Sequence, residues 1–141
     1  MVSLRGGTSL PISQSLAYYL PQFHRIPEND AWWGAGFTEW SSLRAASPVH
    51  ADQIIQTPGL FGYYDLTSTE VIGQQHQLAR RHGIGTFAFW HYWFGADDLL
   101  LQTPAEQLRR SNENVNFCFA WANHDWVRKS TGEMLKRQRY D

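Results

Sequence analysis

"IGTFAFWHYW", Ile84 to Trp93, decides how this chain is read. The run is near-continuously apolar and does not alternate. A strand with one face in water alternates; a strand apolar on both sides is covered on both faces, as in a parallel sheet. Upstream lies a helix signature. Thr67 reads as an N-cap with Glu70 three residues on, a capping box. Val71, Ile72, Gln75, Leu78, Ala79 and His82 follow at helical spacing, and Gly83 stops the helix. Downstream, Thr103, Pro104 and Glu106 give an N-cap, a proline at the first helical position and an acid in the first turn, for a short helix through Arg110.

Two further strands flank this unit. "SLAYYL", Ser15 to Leu20, is a β-type run ended by Pro21, which cannot donate to a ladder. "NFCFAWA", Asn116 to Ala122, is the third strand. Between the first strand and the first helix, "PQFHRIPENDAWWGAGFTEW" has two Pro, two Gly, three Trp and no period. It reads as a long loop, and loops that long inside a domain are usually functional. Residues 1–15 read as a loose arm, and the stretch after Ala122 shows no clear element. The expected order is strand, loop, helix, strand, helix, strand: a βαβαβ parallel unit with right-handed crossovers. A closed (β/α)₈ barrel needs roughly 200 residues or more. The fold class is therefore α/β, either a small open sheet or the first three strands of such a barrel.

Composition narrows the function. The chain has 141 residues, 43% hydrophobic and 18% charged, with a formal charge of -1. That excludes a disordered composition and gives no global basic footprint for nucleic acid. The late basic run of Arg128, Lys129, Lys136, Arg137 and Arg139 reads as a solvated loop or a local anion contact. The single cysteine, Cys118, reads as a small buried hydrophobe in a reducing compartment. No signal-peptide core opens the chain, and no run approaches the roughly 18 apolar residues of a membrane span. A soluble cytoplasmic protein is the expectation.

Aromatics are the outlier, at 15% with seven Trp. Large rings fill cores, yet many here sit beside polar residues in turn-like stretches. Aromatic faces among polar groups suit sugars, which offer C–H faces to rings and hydroxyls to side chains. Parallel α/β folds bind ligands at the carboxyl ends of their strands. Those ends carry Gln22, Phe23 and His24; then His91, Tyr92 and Trp93; then Trp121, Asn123, His124 and Asp125.

A carbohydrate site is the first reading. Asn, Gln, His and Tyr both donate to and accept from hydroxyls. Trp33, Trp40, Trp93, Trp121 and Trp126 could stack. Glycosyl chemistry wants two carboxyl groups, and the acids near this face are Glu39, Asp125, Glu28 and Asp30. Glu39, flanked by Phe37 and Trp40, has the environment best suited to raise a carboxyl pKa. The second reading is a zinc-type hydrolase using His24, His91, His124 and Asp125, although no H-x-H or H-E-x-x-H spacing supports it. The third is a lectin-like binding module. His76 and His82 read as packing or surface residues. No phosphate-cradling glycine loop or G-x-S-x-G elbow is present, and "GGTS" at Gly6 lies in the arm.

As a set, "LAYYLPQFHRIPENDAWWGAGFTEW", "GYYDL", "FAFWHYWF" and "FCFAWANHDWVRK" resemble, in order and spacing, the WbsX-type proteins over residues 16–132. These are glycosyltransferases of O-antigen and polysaccharide clusters, related to the glycoside hydrolase family 99 domain. The resemblance implies a (β/α)₈ barrel acting on surface polysaccharide, without a cofactor or a metal in the chemistry. It implies that residues 16–141 are an amino-terminal portion, inactive alone, whose further partner is the remainder of the barrel. The hydrolase family's paired catalytic glutamates lie in a later segment with no counterpart here. What carries over is a strand-end sugar pocket: Tyr19, Gln22, His24, Trp33, Glu39, Trp40, His91, Tyr92, Trp93, Trp121 and Asn123. One departure stands out. Where the family reads W-A-N-E-N-W, this chain has "WANHDW", so the acid moves from position 124 to Asp125. If side chains alternate there, that step turns the carboxylate to another face.

Overall fold

A computed structural model describes residues 15–140. The expected arm, apart from Ser15, and its "GGTS" lie outside the described residues. The elements are β1 (Ser15–Tyr19), α1 (Pro27–Trp33), α2 (Glu39–Ala45), α3 (Thr69–Arg81), β2 (Ile84–Trp93), β3 (Leu99–Leu100), α4 (Thr103–Arg110), β4 (Phe117–Trp121), β5 (Trp126–Arg128) and β6 (Glu133–Lys136).

β2 is the central strand, as its double-sided apolar run requires. It pairs in parallel with β1, where Tyr19 faces Phe89, and in parallel with β4, where His91 faces Trp121. Its side chains divide between two cores. Phe87 and Phe89 pack with Leu66, Ile72, Ala105 and Leu108 beneath α3 and α4. Tyr92 joins Phe94, Leu100, Leu101, Ala122 and Ile26 in the second core. Phe89 is 1% exposed; burying such a ring contributes about 1.5–3 kcal/mol.

The sheet is mixed, not wholly parallel as expected. After Trp93 the chain turns and β3 pairs antiparallel to the end of β2. Three parallel strands leave the sheet open, and among the described residues β1 and β4 each pair with β2 alone. That exposes Leu16 and Tyr18 on one side and Phe119 and Trp121 on the other. Cys118 is exposed, not buried as its apolar neighbours suggested, because it lies on an outer strand. Among the described residues no helix is long and apolar enough to cross a membrane.

The stretch from Pro21 to Trp40, expected as loop, holds α1 and the start of α2. Pro27 opens α1, and Gly34 ends it at φ 106°, a conformation that favours glycine. Thr38 and Ser41 form a reciprocal capping box at α2. In α3 the cap is Ser68, whose hydroxyl accepts the Val71 N–H at 3.5 Å. Thr67, the expected cap, instead gives its backbone N–H and hydroxyl to Asp65 at 2.8 and 2.7 Å. In α4 the capping position belongs to Gln102, one residue before Thr103. α3 buries Ile72, Gly73 and His76. A Cβ at Gly73 would stand 2.1 Å from a Glu113 carboxyl oxygen, the end of a flexible side chain that packs over this turn of α3. The His76 ring is buried with Nε2 3.1 Å from the Gly85 carbonyl, which ties α3 to β2. The stretch after Ala122, where no element was expected, forms the β5–β6 hairpin, turning at Gly132 with φ 73°.

Candidate functional site

A cleft of about 680 Å³ opens at the carboxyl ends of β1, β2 and β4. Gln22, just past β1, and Tyr92, near the end of β2, form part of its wall; the Gln22 amide donates to the Tyr92 hydroxyl. α1 contributes Asn29 and Trp33, one turn apart and so on one helix face. Phe37 comes from just before α2, and Glu39 and Ser42 from its first turn. The opposite wall is His124 and Asp125 after β4, Trp126 and Val127 of β5, and the β5–β6 turn with Lys129 and Ser130.

Each wall is fixed by its own chemistry. The Gln22 carbonyl accepts the Glu39 N–H at 3.5 Å, which holds the start of α2 beside the end of β1. Trp126 stacks on Tyr92 with centroids 4.7 Å apart and tilts against Trp32 at 5.5 Å. The Arg128 guanidinium lies 4.2 Å from the centre of the Trp33 ring and donates to the Trp32 carbonyl at 2.8 Å. Its Nε meets the Glu133 carboxylate at 2.8 Å. One arginine thus clamps the hairpin to α1. At the foot of α1, Asp30 accepts from Arg25 and from the Gly36 and Phe37 N–H groups, and the Arg25 contact leads in holding its carboxyl below the usual range.

Two carboxyl residues line the cleft. Glu39 is half-buried, and burial raises its pKa above the ordinary carboxylate value. Burial also pushes the Tyr92 phenol up to about 12, with the Gln22 hydrogen bond opposing and the Glu39 charge adding to the rise. Tyr92 therefore remains a neutral hydroxyl, and Glu39 holds its proton further toward neutrality than a surface glutamate. Asp125 serves the fold instead. Its carboxylate accepts the Gln138 N–H at 2.6 Å and secures the segment after β6.

The expected sugar pocket is divided. Gln22, Trp33, Glu39, Tyr92 and Asp125 meet in the cleft. Tyr19 turns to the other face of the sheet, where its hydroxyl donates to Gln75 and its ring stacks on Phe87 at 4.6 Å. His24 is 1% exposed, beside the Pro21 backbone. Burial lowers its pKa, so it is a neutral core ring outside the cleft wall. Trp40 donates its indole N–H to the Tyr64 carbonyl at 2.7 Å and packs against Phe23, Tyr63 and Tyr64, pinning α2 to the loop before α3.

His91 lies on the face of β2 that meets α4. It packs on Phe119 at 4.7 Å and lines a separate groove with Gln102 and Arg109, where burial lowers its pKa. Trp93 and Trp121 form a separate pair with centroids 5.4 Å apart. Their indole N–H groups donate to the Ala96 and Trp93 carbonyls, and Asn123 accepts from the Tyr140 hydroxyl. The histidines of the zinc alternative do not converge, and among the described residues no group of three or more His, Cys, Asp or Glu could hold a metal. The sequence reading missed Asn29, Phe37, Ser42, Lys129 and Ser130. The available signal was the i to i+4 spacing of Asn29 and Trp33, hidden while that stretch read as loop.

Comparison with known proteins places this geometry in a family. The family described as Glycosyltransferase WbsX matches residues 15–141. Two proteins titled "Uncharacterized protein WxcX", from two strains of Xanthomonas campestris pv. campestris, are each 44% identical over 119 residues. The match covers 83% of this chain and 17% of theirs, so the chain spans under a fifth of the length of these curated relatives. No solved structure matches. With every described residue inside the matched span, the chain belongs to the WbsX glycosyltransferase family.

Proposed function

We propose that the cleft binds a sugar residue of a polysaccharide and that Glu39 moves the proton in making or cutting a glycosidic bond. One observation carries this reading: a half-buried carboxyl with a raised pKa shares a cleft with the Trp33 ring and the Gln22–Tyr92 pair. A protonated Glu39 donates to the glycosidic oxygen as the bond from the anomeric carbon to that oxygen breaks. Water or a sugar hydroxyl then attacks the oxocarbenium-like carbon, and a carboxylate takes the attacking proton. Hydrolysis and transfer differ in the attacker, and both use this site.

In the full reading, residues 16–141 are the amino-terminal part of a larger (β/α)₈-type domain acting on a surface polysaccharide such as O-antigen in the cytoplasm. The pairing of β1 and β4 with β2 alone among the described residues supports this, as does the 17% coverage of the relatives. On that reading these residues are inactive alone and work with further βα units. A second reading, a carbohydrate-binding module, draws on the fact that the described residues supply a continuous cleft lining.

Calorimetric titration of the purified chain with oligosaccharides cut from bacterial O-chains tests the sugar site. Saturable binding that Trp33→Ala abolishes and Glu39→Gln retains is expected. Absence of saturable binding, or a Trp33→Ala variant that binds as the wild type does, would sink the proposal. A single sharp, reversible unfolding transition of a monomer would count against the partial-domain reading.

A further inference from the structure

Asn29 is a buried polar residue on the wall of the cleft. Its side chain is 1% exposed, and among the described residues its Oδ1 has no hydrogen-bond donor. A buried acceptor left unpaired costs about 1–3 kcal/mol. Its neighbours leave that acceptor unsatisfied: Asn29 lies on α1 in the same wall as Trp33, one turn further on. The carboxylate of the next residue, Asp30, is already occupied by Arg25 and two backbone N–H groups. Arg128 covers the Trp33 ring at 4.2 Å and holds it in place. The wall therefore holds a fixed aromatic ring and, among the described residues, a buried amide oxygen without a donor.

We infer that Asn29 is a specificity-determining residue of the cleft, whose amide oxygen takes a hydrogen bond from a hydroxyl or acetamido N–H of the sugar lying against Trp33. This rests on the cleft being a sugar site, and it adds a requirement: the bound sugar must carry a donor at the position facing α1. A sugar that is deoxygenated or O-methylated there leaves Oδ1 unpaired and binds less tightly. Sites built to bond a substrate hydroxyl reject analogues lacking it, because the site's own polar group is left unsatisfied.

The test compares the wild type with Asn29→Leu and Trp33→Ala. Binding is read on an array of bacterial O-chain and capsular oligosaccharides, and the exchange of α1 amide hydrogens is followed in parallel. Leucine approximates asparagine in shape and removes the orphaned acceptor. Asn29→Leu is expected to bind the wild-type's glycans roughly tenfold more weakly, with α1 protection unchanged or increased. Binding lost in Trp33→Ala but unchanged in Asn29→Leu overturns the role of Asn29 and leaves the sugar cleft standing. Faster α1 exchange in Asn29→Leu makes Asn29 a structural residue and also overturns the inference. No glycan binding by the wild type, or binding indifferent to Trp33→Ala, removes the sugar cleft itself and the inference with it.

Discussion

Replacing Arg128 with alanine should release the hairpin wall of the cleft from α1. Three contacts are lost. The guanidinium donates to the Trp32 carbonyl at 2.8 Å, across 96 residues of sequence; a hydrogen bond of this kind contributes about 1–1.5 kcal/mol. It covers the Trp33 ring at 4.2 Å, worth roughly 0.5–1 kcal/mol where partly exposed. Its pair with Glu133 adds little, because that carboxylate is more than half exposed. The sum is about 2 kcal/mol, or roughly a 30-fold change in a local opening equilibrium. Amide hydrogen exchange reads this opening directly without requiring whole-chain cooperativity. In Arg128→Ala the Trp33 and Gly34 amides should exchange roughly 30-fold faster, while those of central β2 stay unchanged. Arg128→Lys keeps the charge but loses the planar fork, and should fall between. Unchanged exchange at α1 in Arg128→Ala would refute the clamp.

Glu39→Gln should shift stability with a defined sign. Burial raises the folded pKa above the ordinary value of 4.5, so the folded state holds its proton more tightly than the unfolded chain. That contribution is complete below pH 4.5 and is lost as pH rises through the raised value. The variant should equal the wild type near pH 4 and exceed it in urea midpoint near pH 8; a wild type that gains on the variant with rising pH would contradict this. Asp125→Ala removes the 2.6 Å acceptor of the Gln138 N–H and should speed exchange of that amide roughly fivefold, about 1 kcal/mol, with β2 unaffected; unchanged exchange there would refute the bond. Phe89→Ala empties the centre of the core beneath α3 and α4, costs about 3–5 kcal/mol, and should leave little folded soluble chain; normal yield with native circular dichroism would contradict that packing.

How much of this was legible beforehand varied with the physical signal. β2 announced itself because a ten-residue strand covered on both faces must be largely apolar. α3 was legible because thirteen residues give a helical period room to repeat. α1 and α2 each run seven residues, under two turns, and their boundaries rest on Pro27 and on the Thr38–Ser41 box instead of periodicity. β5 and β6 are three and four residues long and are held by cross-strand pairing, which one strand's sequence does not reveal.

The site divided along similar lines. Placing residues at strand ends was enough to find Gln22, Tyr92 and Asp125 in one cleft. It was not enough to place His91, Trp93 or Trp121, because sheet alternation turns odd-numbered β2 residues away from Tyr92, and Trp121 of β4 stands in register with His91. His24 follows Gln22 by two residues yet is sealed in the interior by the loop's local path.

The central claim is that sugar binds against α1 and not against the Trp93–Trp121 pair. An isotope-labelled chain titrated with bacterial O-chain oligosaccharides, followed through the tryptophan indole N–H resonances, tests it most directly. Saturable shifts at Trp33, with Trp40 and Trp121 held still by their bonds to the Tyr64 and Trp93 carbonyls, are the predicted result. Shifts centred on Trp93 and Trp121 with Trp33 unmoved would contradict it.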